Sequence, residues 1–305
     1  MQWQELFITA TQLNQLISDS TDSTNASEST RIRKSAKPLK IFDCRFSLAV
    51  GDKPAKGKAF YDESHIPGSE YLDLEQDLSG QITNISGRHP LPNKAQQNQL
   101  IDRYQLDSDT TIICYDDGKL AFAARAWFTF HLMGFHRVRL LSGGLPAWQS
   151  INNQVSNANQ PSTDSEYNRE KSSTLPLSAV APPIQLNTLT QALSEPTVLI
   201  DAREAVRFQG KQEPIDPVAG AISNAINMPW LDCFDEDGQF KPVNWHRSRW
   251  QNTNTPCHYC GSGVTALVNI LSALLANNNQ QHFYAGGWSE YIHSKHFSKG
   301  SNKAD

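Results

Sequence analysis

The chain has 305 residues, 27 of them basic and 31 acidic, giving a formal net charge of −4 and a sequence pI near 6.1. It carries no basic field that would attract nucleic acid and no long basic run typical of membrane binding, so we expect neither partner. Nor does it contain an apolar run of the roughly 18 residues that a transmembrane helix needs. The length predicts two domains of about 100–150 residues each.

The cysteines and the N-terminus indicate the cellular compartment in which the protein works. Five cysteines, an odd and small number, do not form a disulfide framework in a chain of this length. The start, Met1-Gln2-Trp3-Gln4-Glu5, lacks the basic and apolar regions of a secretory signal. We therefore expect a reducing, cytoplasmic setting.

Predicted elements of the first half follow a strand-and-helix order. Residues 3–17 have a weakly helical pattern, whereas residues 18–30 are so polar that we expect a loop or disorder. Short apolar runs predict strands at Leu39–Arg45, Thr110–Asp116 and Val138–Leu141. A helix is predicted from about Leu120 to Met133, ending at Gly134.

The second half repeats this order after a polar segment. Residues 152–184 are rich in Asn, Ser, Thr, Gln and Pro, which is typical of an interdomain linker. Strands are then predicted at Val198–Arg203, Pro256–Cys260 and residues 282–288, with a helix at Val264–Leu275. The predicted organisation is an N-terminal domain at 1–151, the linker, a C-terminal domain at 185–297 and a polar tail at 298–305.

Two short motifs indicate an internal duplication. Asp43-Cys44-Arg45 corresponds to Asp201-Ala202-Arg203, and Gly143-Gly144 with Trp148 corresponds to Gly286-Gly287-Trp288. Short apolar strands that alternate with amphipathic helices predict an α/β fold, with a doubly wound parallel sheet flanked by helices in each half. Ligands bind such sheets at the carboxyl ends of strands, where Asp116 and Cys260 both lie.

Cys260 lies at a predicted strand-to-helix turn, in the run Tyr259-Cys260-Gly261-Ser262-Gly263-Val264-Thr265-Ala266. The glycines allow a tight loop whose N–H groups turn inward, and the helix start adds partial positive charge. Such a cradle stabilises a thiolate, the outer sulfur of a persulfide or an oxyanion. These features favour a nucleophile that carries a transferable sulfur atom over a cysteine that only packs beneath the helix.

The run Cys260–Ala266 resembles the active-site loop of the 3-mercaptopyruvate sulfurtransferases, in the tandem-domain rhodanese family. Further similar pieces occur in order along most of the chain: His65-Ile66-Pro67-Gly68, Tyr115-Asp116-Asp117-Gly118, Ala124-Arg125-Ala126-Trp127, residues 143–148, residues 201–203, Arg207-Phe208-Gln209-Gly210, Glu213-Pro214 and residues 284–290. The resemblance implies two rhodanese-like domains, of which only the second is catalytic. Asp116 stands where the second half has Cys260, and it cannot accept a sulfur atom.

The resemblance also implies a mechanism and partners. The Cys260 thiolate would take sulfur from a small-molecule donor and pass it to a thiol, a thioredoxin-like protein or cyanide, with no metal or other cofactor. Family loops that use thiosulfate carry Arg or Lys beside the cysteine, and this loop has neither. The hydroxyls of Ser262 and Thr265 suit an enolate leaving group, which favours 3-mercaptopyruvate over the alternative donor, thiosulfate. The expected donor-binding loop residues are Gly261, Gly263, Val264 and Thr265.

Arg207, in the piece Arg-Phe-x-Gly, is expected to bind the donor's carboxylate, because guanidinium pairs bidentately with carboxylate. The resemblance implies a second arginine after Glu-Pro, but Ile215 stands there. The second clamp is therefore missing or supplied from elsewhere. Residues 221–225 also depart from the His-x-Pro-Gly piece that the first half retains.

His89 lies in Arg88-His89-Pro90-Leu91-Pro92, which resembles the segment that brings a histidine to the active cysteine across the domain interface. We expect His89 to relay a proton there. Glu75 stands where the family tends to have an aspartate, and its carboxylate is expected to orient the imidazole.

Other functions fit less well. The Cys257-x-x-Cys260 spacing occurs in dithiol oxidoreductases and in half of a zinc site, but no second Cys or His pair follows, and Cys257 falls inside a predicted strand, where we expect it to be buried. A Cys-x5-Arg phosphatase needs arginine where this chain has Ala266. A non-catalytic binding module remains open: Ile215 and the change at residues 223–224 favour it, whereas the intact Cys260 loop favours an enzyme.

Overall fold

The computed structural model describes residues 3–24, 38–151, 154–157, 184–194 and 198–297. Within them the chain forms two five-stranded sheets, one in each half, in which every strand pair is parallel. α-Helices connect the strands, which confirms the predicted α/β class with two parallel sheets flanked by helices.

The first sheet has the strand order β1-β5-β4-β2-β3. Its strands are β1 Phe7–Ile8, β2 Leu39–Asp43, β3 Ser69–Tyr71, β4 Thr111–Tyr115 and β5 Val138–Leu141. The helices of this half are α1 Ala10–Thr24, α2 Lys58–Glu63, α3 Lys94–Tyr104, α4 Ala121–Leu132 and α5 Gly144–Ser150.

The second sheet has the corresponding order β6-β10-β9-β7-β8. Its strands are β6 Ile184–Leu186, β7 Val198–Asp201, β8 Ile226–Asn227, β9 Pro256–Tyr259 and β10 Gln281–Phe283. The helices are α6 Leu189–Ala192, α7 Ala205–Phe208, α8 Val243–Trp250, α9 Ala266–Leu275 and α10 Gly287–Tyr291. Because β6 to β10 repeat the order of β1 to β5, the two halves share one topology.

Equivalent side chains hold the two sheets in the same way. Asp43 ends β2 and binds Arg45 at 2.6 Å, and Asp201 ends β7 and binds Arg203 at the same distance. Both carboxylates are wholly buried, so each depends on its arginine for charge compensation.

The turn at residues 221–225 keeps its shape although its sequence differs. The backbone N–H of Ile222 donates to the hydroxyl of Tyr259 at 3.3 Å, and that of Ile66 donates to Tyr115 at 3.1 Å. Asn224 has φ +65°, close to the +75° of Gly68 in the first half. Asparagine is the residue that best tolerates this left-handed conformation after glycine.

The prediction for residues 18–30 was wrong over its first part. Residues 18–24 continue α1, and residues 25–30 lie outside the described residues. Leu13 on α1 is fully buried, and side chains of its polar end bond within the helix, as Gln15 does to Asp19 at 2.7 Å. Tertiary anchoring of one apolar face thus overrides weak local propensity.

The predicted linker, 152–184, is described only at its edges. Residues 154–157 pack on the first half, where Ser156 and His65 exchange two backbone hydrogen bonds of 2.9 Å. The second sheet begins at Ile184, one residue before the expected start at 185. The rest of the linker and the tail at 298–305 lie outside the described residues.

The two halves share one hydrophobic core. It contains residues of both α4 and α9, and the ring of Phe128 meets that of Phe283 edge-on with centroids 5.2 Å apart. This packing fixes the Cys260 end of the second sheet against the first half. Among the described helices, none has the length and apolar character to cross a membrane.

Candidate active site

Cys260 follows β9, the central strand of the second sheet, and its side chain is almost fully buried. The Val264 N–H donates to its Sγ at 3.3 Å, and its carbonyl accepts the Trp288 N–H at 2.8 Å. Residues 261–265 then lead into α9. The thiol therefore lies just before a helix, with the Val264 N–H of the intervening loop directed at its sulfur.

Two glycines make this loop possible. Gly263 has φ +74°, and a Cβ atom there would collide with the carbonyl oxygen of Ala285. Gly287 has φ +63°, and its Cβ would lie 2.5 Å from the carbonyl oxygen of Cys260. Any larger residue at either position would push the Gly-Gly turn before α10 away from the cysteine.

Arg125, a wholly buried residue of α4, links the loop to the first half. Its Nη1 donates to the carbonyl of Gly263 at 2.9 Å, and its other donors bind the carbonyls of Leu78, His89 and Pro90. Burial lowers the pKa of Arg125 to about 10, and a negative charge on Cys260 would act in the opposite direction. Arg125 thus positions both the cysteine loop and the His89 segment.

His89 and Ser262 are brought together across the interface. Nδ1 of His89 lies 2.7 Å from Oγ of Ser262, and both side chains are buried. Burial, with the charges of Arg125 and Arg88, lowers the pKa of His89 to about 3, so its imidazole is neutral near pH 7. A neutral ring can donate a hydrogen bond to the serine hydroxyl, or accept one from it, without placing a charge in the interior.

The expected partnership of His89 with Glu75 is wrong. Glu75 is exposed, and its backbone N–H binds Asp73. Among the described residues no hydrogen bond joins Glu75 to His89. Nδ1 of His89 contacts Ser262 instead, because the His89 segment lies against the second half of the chain.

Arg207 lies beside the loop but is already paired. Its Nε and Nη2 form a bidentate pair with Glu213 at 3.2 and 2.7 Å, and Nη2 lies 3.3 Å from Asp216. Asp216 also binds Arg88, which comes from the first half. A Cβ atom on Gly261 would lie 2.9 Å from Nη2 of Arg88 and 3.5 Å from Nη2 of Arg207. Two guanidinium groups therefore adjoin the cysteine loop.

Asp116 holds the place of Cys260 in the first half. Its Oδ1 accepts the N–H groups of Gly118 and Leu120, and its Oδ2 accepts those of Phe122 and Ala123, at 2.9–3.2 Å. Burial and the Asp117 charge raise the pKa of Asp116 to about 6. The carboxylate thus receives four backbone N–H groups at the position where the second half has the Cys260 thiol.

Cys257 does not share the environment of Cys260. Cys257 lies inside β9, fully buried, and burial raises the pKa of its thiol to about 12. It therefore stays protonated and packs in the core. In the part of the chain that the structure describes, no three His, Cys, Asp or Glu side chains are grouped as a metal site.

Comparisons with known proteins agree with this geometry. A family model described as a rhodanese-like domain matches residues 26–151. A probable 3-mercaptopyruvate sulfurtransferase of Pseudomonas aeruginosa is 37% identical over 269 residues, which cover 85% of this chain and 91% of the relative. The chain belongs to the rhodanese family of sulfurtransferases. A putative thiosulfate sulfurtransferase of Mycobacterium tuberculosis is 34% identical over 87% of this chain and 92% of its own.

Solved structures of the family share the fold. The 3-mercaptopyruvate sulfurtransferase from Leishmania major superposes with a TM-score of 0.72 at 22% identity, covering 94% of this chain and 74% of its own. The Escherichia coli protein SseA, described among 3-mercaptopyruvate sulfotransferases, gives a TM-score of 0.67 at 25% identity, covering 93% and 99%. The protein is thus a sulfurtransferase enzyme rather than a non-catalytic binding module of the rhodanese fold.

Sequence reasoning missed three residues of this site. In the sequence, Arg88 is only the neighbour of His89, Arg125 only a member of a matching motif, and Asp216 belongs to no motif. All three act through contacts that span the two halves or distant segments. The available signal was an arginine among apolar residues of a predicted helix, because such a charge needs partners if it is buried.

Proposed function

We propose that this rhodanese-family enzyme takes sulfur from 3-mercaptopyruvate as a persulfide on Cys260. The observation that carries the proposal is the 2.7 Å pair of Ser262 and His89 beside the cysteine. A departing enolate needs hydrogen bonds and a proton, which a hydroxyl backed by a neutral imidazole can supply. Relatives named 3-mercaptopyruvate sulfurtransferases support this donor.

The transfer conserves atoms and charge within the site. The Cys260 thiolate attacks the sulfur of the donor, a sulfur–sulfur bond forms, and the carbon–sulfur bond breaks with its electron pair on carbon. The proton of the donor's thiol passes through Ser262 and His89 to that carbon. The products are pyruvate and a deprotonated persulfide, and the enzyme needs no external proton or redox partner.

Loop groups bind the donor and its products in this proposal. The Val264 N–H contacts Sγ, and the backbone N–H groups of Gly261 and Gly263 would join it in binding the outer sulfur. Thr265 precedes α9 without capping it through its side chain, which leaves the hydroxyl for the leaving oxygen. Arg207 attracts the carboxylate end.

The acceptor is a thiol in this proposal, either a small molecule or a thioredoxin-like protein, with cyanide as a substitute in assays. A thiol attacks the outer sulfur of the persulfide and restores the Cys260 thiolate. The five cysteines are all free in the structure, which supports a reducing, cytoplasmic setting.

Thiosulfate is a second candidate donor because positive charge lies close to the loop. Arg88 and Arg125 both interact favourably with a negative charge on Cys260, and a relative at 34% identity is named a putative thiosulfate sulfurtransferase. The loop itself contains no cation that would fix a departing sulfite, so we rank this donor second.

We further propose that only the second half of the chain is catalytic, with the domain boundaries predicted from the sequence. Residues 1–151 form a non-catalytic domain that contributes His89, Arg88 and Arg125, and residues 185–297 form the catalytic domain. Binding of four backbone N–H groups by the Asp116 carboxylate supports this division.

Steady-state kinetics test the donor. With a thiol acceptor, kcat/KM for 3-mercaptopyruvate should exceed that for thiosulfate by at least about tenfold, and pyruvate should appear in step with the transferred sulfur. Cys260→Ser should abolish both reactions, whereas the control Cys257→Ser should keep them. A preference for thiosulfate, or turnover that survives in Cys260→Ser, would contradict the proposal.

A further inference from the structure

Asp216 bridges two arginines that come from different halves of the chain. One carboxylate oxygen binds Nη1 of Arg88, and the other lies 3.3 Å from Nη2 of Arg207. The Asp216 side chain is 2% exposed, so its carboxylate is shielded from solvent. A carboxylate held by two guanidinium groups is the arrangement that a bound 2-oxo acid would require.

Arg88 has unused hydrogen-bonding capacity on its inner edge. Its Nε is buried and has no hydrogen-bond partner among the described residues. On that edge, Nη2 faces Gly261, where a Cβ atom would be only 2.9 Å away. An unpaired buried donor destabilises a folded protein, and an incoming acceptor would remove this cost.

Nearby arginines are committed to protein partners. Arg203 binds Asp201, Glu213 and the carbonyl of Gly220. Arg207 uses both Nε and Nη2 on Glu213, leaving Nη1, which lies 3.9 Å from Glu204. Among these guanidinium groups, Arg88 therefore presents the edge most able to accept a new anion.

Charge among the buried members of the cluster is balanced in the absence of a donor. Three arginines, Arg88, Arg203 and Arg207, face three buried carboxylates, Asp201, Glu213 and Asp216, and the more exposed Glu204 lies at the edge of the cluster. A donor carboxylate would add a negative charge unless one of these contacts is released. Asp216 is the carboxylate that both flanking arginines share.

We propose that Arg88 supplies the second guanidinium of the donor-carboxylate site in place of the arginine that Ile215 replaces, and that Asp216 occupies this site until the donor displaces it. This inference rests on the proposed mercaptopyruvate function. Arg88 is then a specificity-determining residue that the first half of the chain contributes. Ile215 and Arg207 both line an open depression of about 270 Å³.

The first test compares two donors that differ only at the carboxylate. Mercaptoacetone has the same thiol and ketone as 3-mercaptopyruvate, with a methyl group in place of the carboxylate. Arg88→Ala should lower kcat/KM for mercaptopyruvate about 10- to 100-fold, mainly through KM, because a charge-assisted hydrogen bond is lost. For mercaptoacetone it should change kcat/KM less than about twofold.

Matched variants separate binding from folding. Arg88→Lys keeps a cation for Asp216 but lacks the planar edge, so it should stay folded and still raise the mercaptopyruvate KM about tenfold. Arg103→Ala, which removes a largely exposed arginine paired with Asp77, should change neither donor's kinetics. Equal losses for both donors in the Arg88 variants, or no loss, would overturn the inference.

Pyruvate binding gives a readout that does not depend on turnover. Calorimetric titration of pyruvate should show Kd raised about tenfold or more by Arg88→Ala and lowered about threefold or more by Asp216→Asn, which removes the competing charge. Equal affinity in all three proteins, or no binding to any, would overturn the inference. If the wild type forms no persulfide with mercaptopyruvate, the proposed function is wrong. The pyruvate titration then still tests whether Arg88 binds the carboxylate.

Discussion

His89 Nδ1 and Ser262 Oγ lie 2.7 Å apart, although 173 residues separate them in sequence and they belong to different halves of the chain. The contact exists because Arg125 binds the carbonyls of both His89 and Gly263. The first half therefore contributes a buried polar side chain as well as packing to the cysteine loop.

Removing either member of this pair should slow the chemical step. His89→Gln and Ser262→Ala should each lower kcat for 3-mercaptopyruvate by about 100-fold while KM stays within about threefold, because a proton relay acts in the transition state. The double variant should be little slower than either single variant. Additive losses, or losses seen only in KM, would show that the two side chains do not act together.

Arg125 should be essential for the position of that pair. Arg125→Lys cannot reach all four carbonyls, so we expect a loss of about 3 kcal/mol in the free energy of unfolding, since buried acceptors lose their donor. Urea denaturation measures this loss, and kcat should fall with it. Stability and kcat equal to wild type would refute the clamp role of Arg125.

The Asp116 carboxylate should be structural. Asp116→Ala leaves four backbone N–H groups without their acceptor, which should reduce the free energy of unfolding by about 3 kcal/mol. Asp117→Ala, at the exposed neighbour, should change it by less than about 0.5 kcal/mol. A small effect of Asp116→Ala in chemical denaturation would mean that water replaces the carboxylate.

His131 should weaken the fold as the pH falls. Burial, reinforced by the His136 charge, lowers its pKa to about 4, below the unfolded value of about 6.5. Folding therefore favours the neutral ring, so its stability contribution is present above pH 6.5 and is lost as the pH falls towards 4. The full shift corresponds to about 3 kcal/mol, of which about 2 kcal/mol is lost by pH 5.

His131→Phe tests this titration and keeps the ring contact with Trp127. Neither ring nitrogen of His131 has a hydrogen-bond partner in the described part of the chain, so the variant should match or exceed wild-type stability at pH 7. Its Tm should fall less than that of wild type between pH 7 and pH 5. An identical fall would refute the prediction, and replacing the exposed His293 serves as control.

Much of the fold was predictable because its signals are local. Short apolar runs predict β2, β4, β5, β7 and β9, and flanking glycines mark the turn at Cys260. The structure places these strands within one or two residues of the predicted ranges. By contrast, β1 has two residues and exists only through its pairing with β5. No local pattern identifies such a strand.

The site was only partly predictable for a related reason. Cys260, Ser262 and His89 belong to recognisable motifs, but the role of Asp216 depends on Arg88, 128 residues away. Ile215 stands where an arginine was expected, and nothing in the surrounding sequence shows that another arginine approaches from the first half. Likewise, Glu75 matches a family position, yet its side chain lies at the surface.

Intact-protein mass spectrometry tests the central claim most directly. The protein is treated with one molar equivalent of 3-mercaptopyruvate in the absence of an acceptor. It should gain about 32 mass units, the mass of one sulfur atom. The added sulfur should lie on Cys260, and a thiol reductant should remove it. The same treatment of Cys260→Ser should give no gain. An unmodified wild-type protein alongside consumed donor, or the added sulfur on another cysteine, would contradict the account.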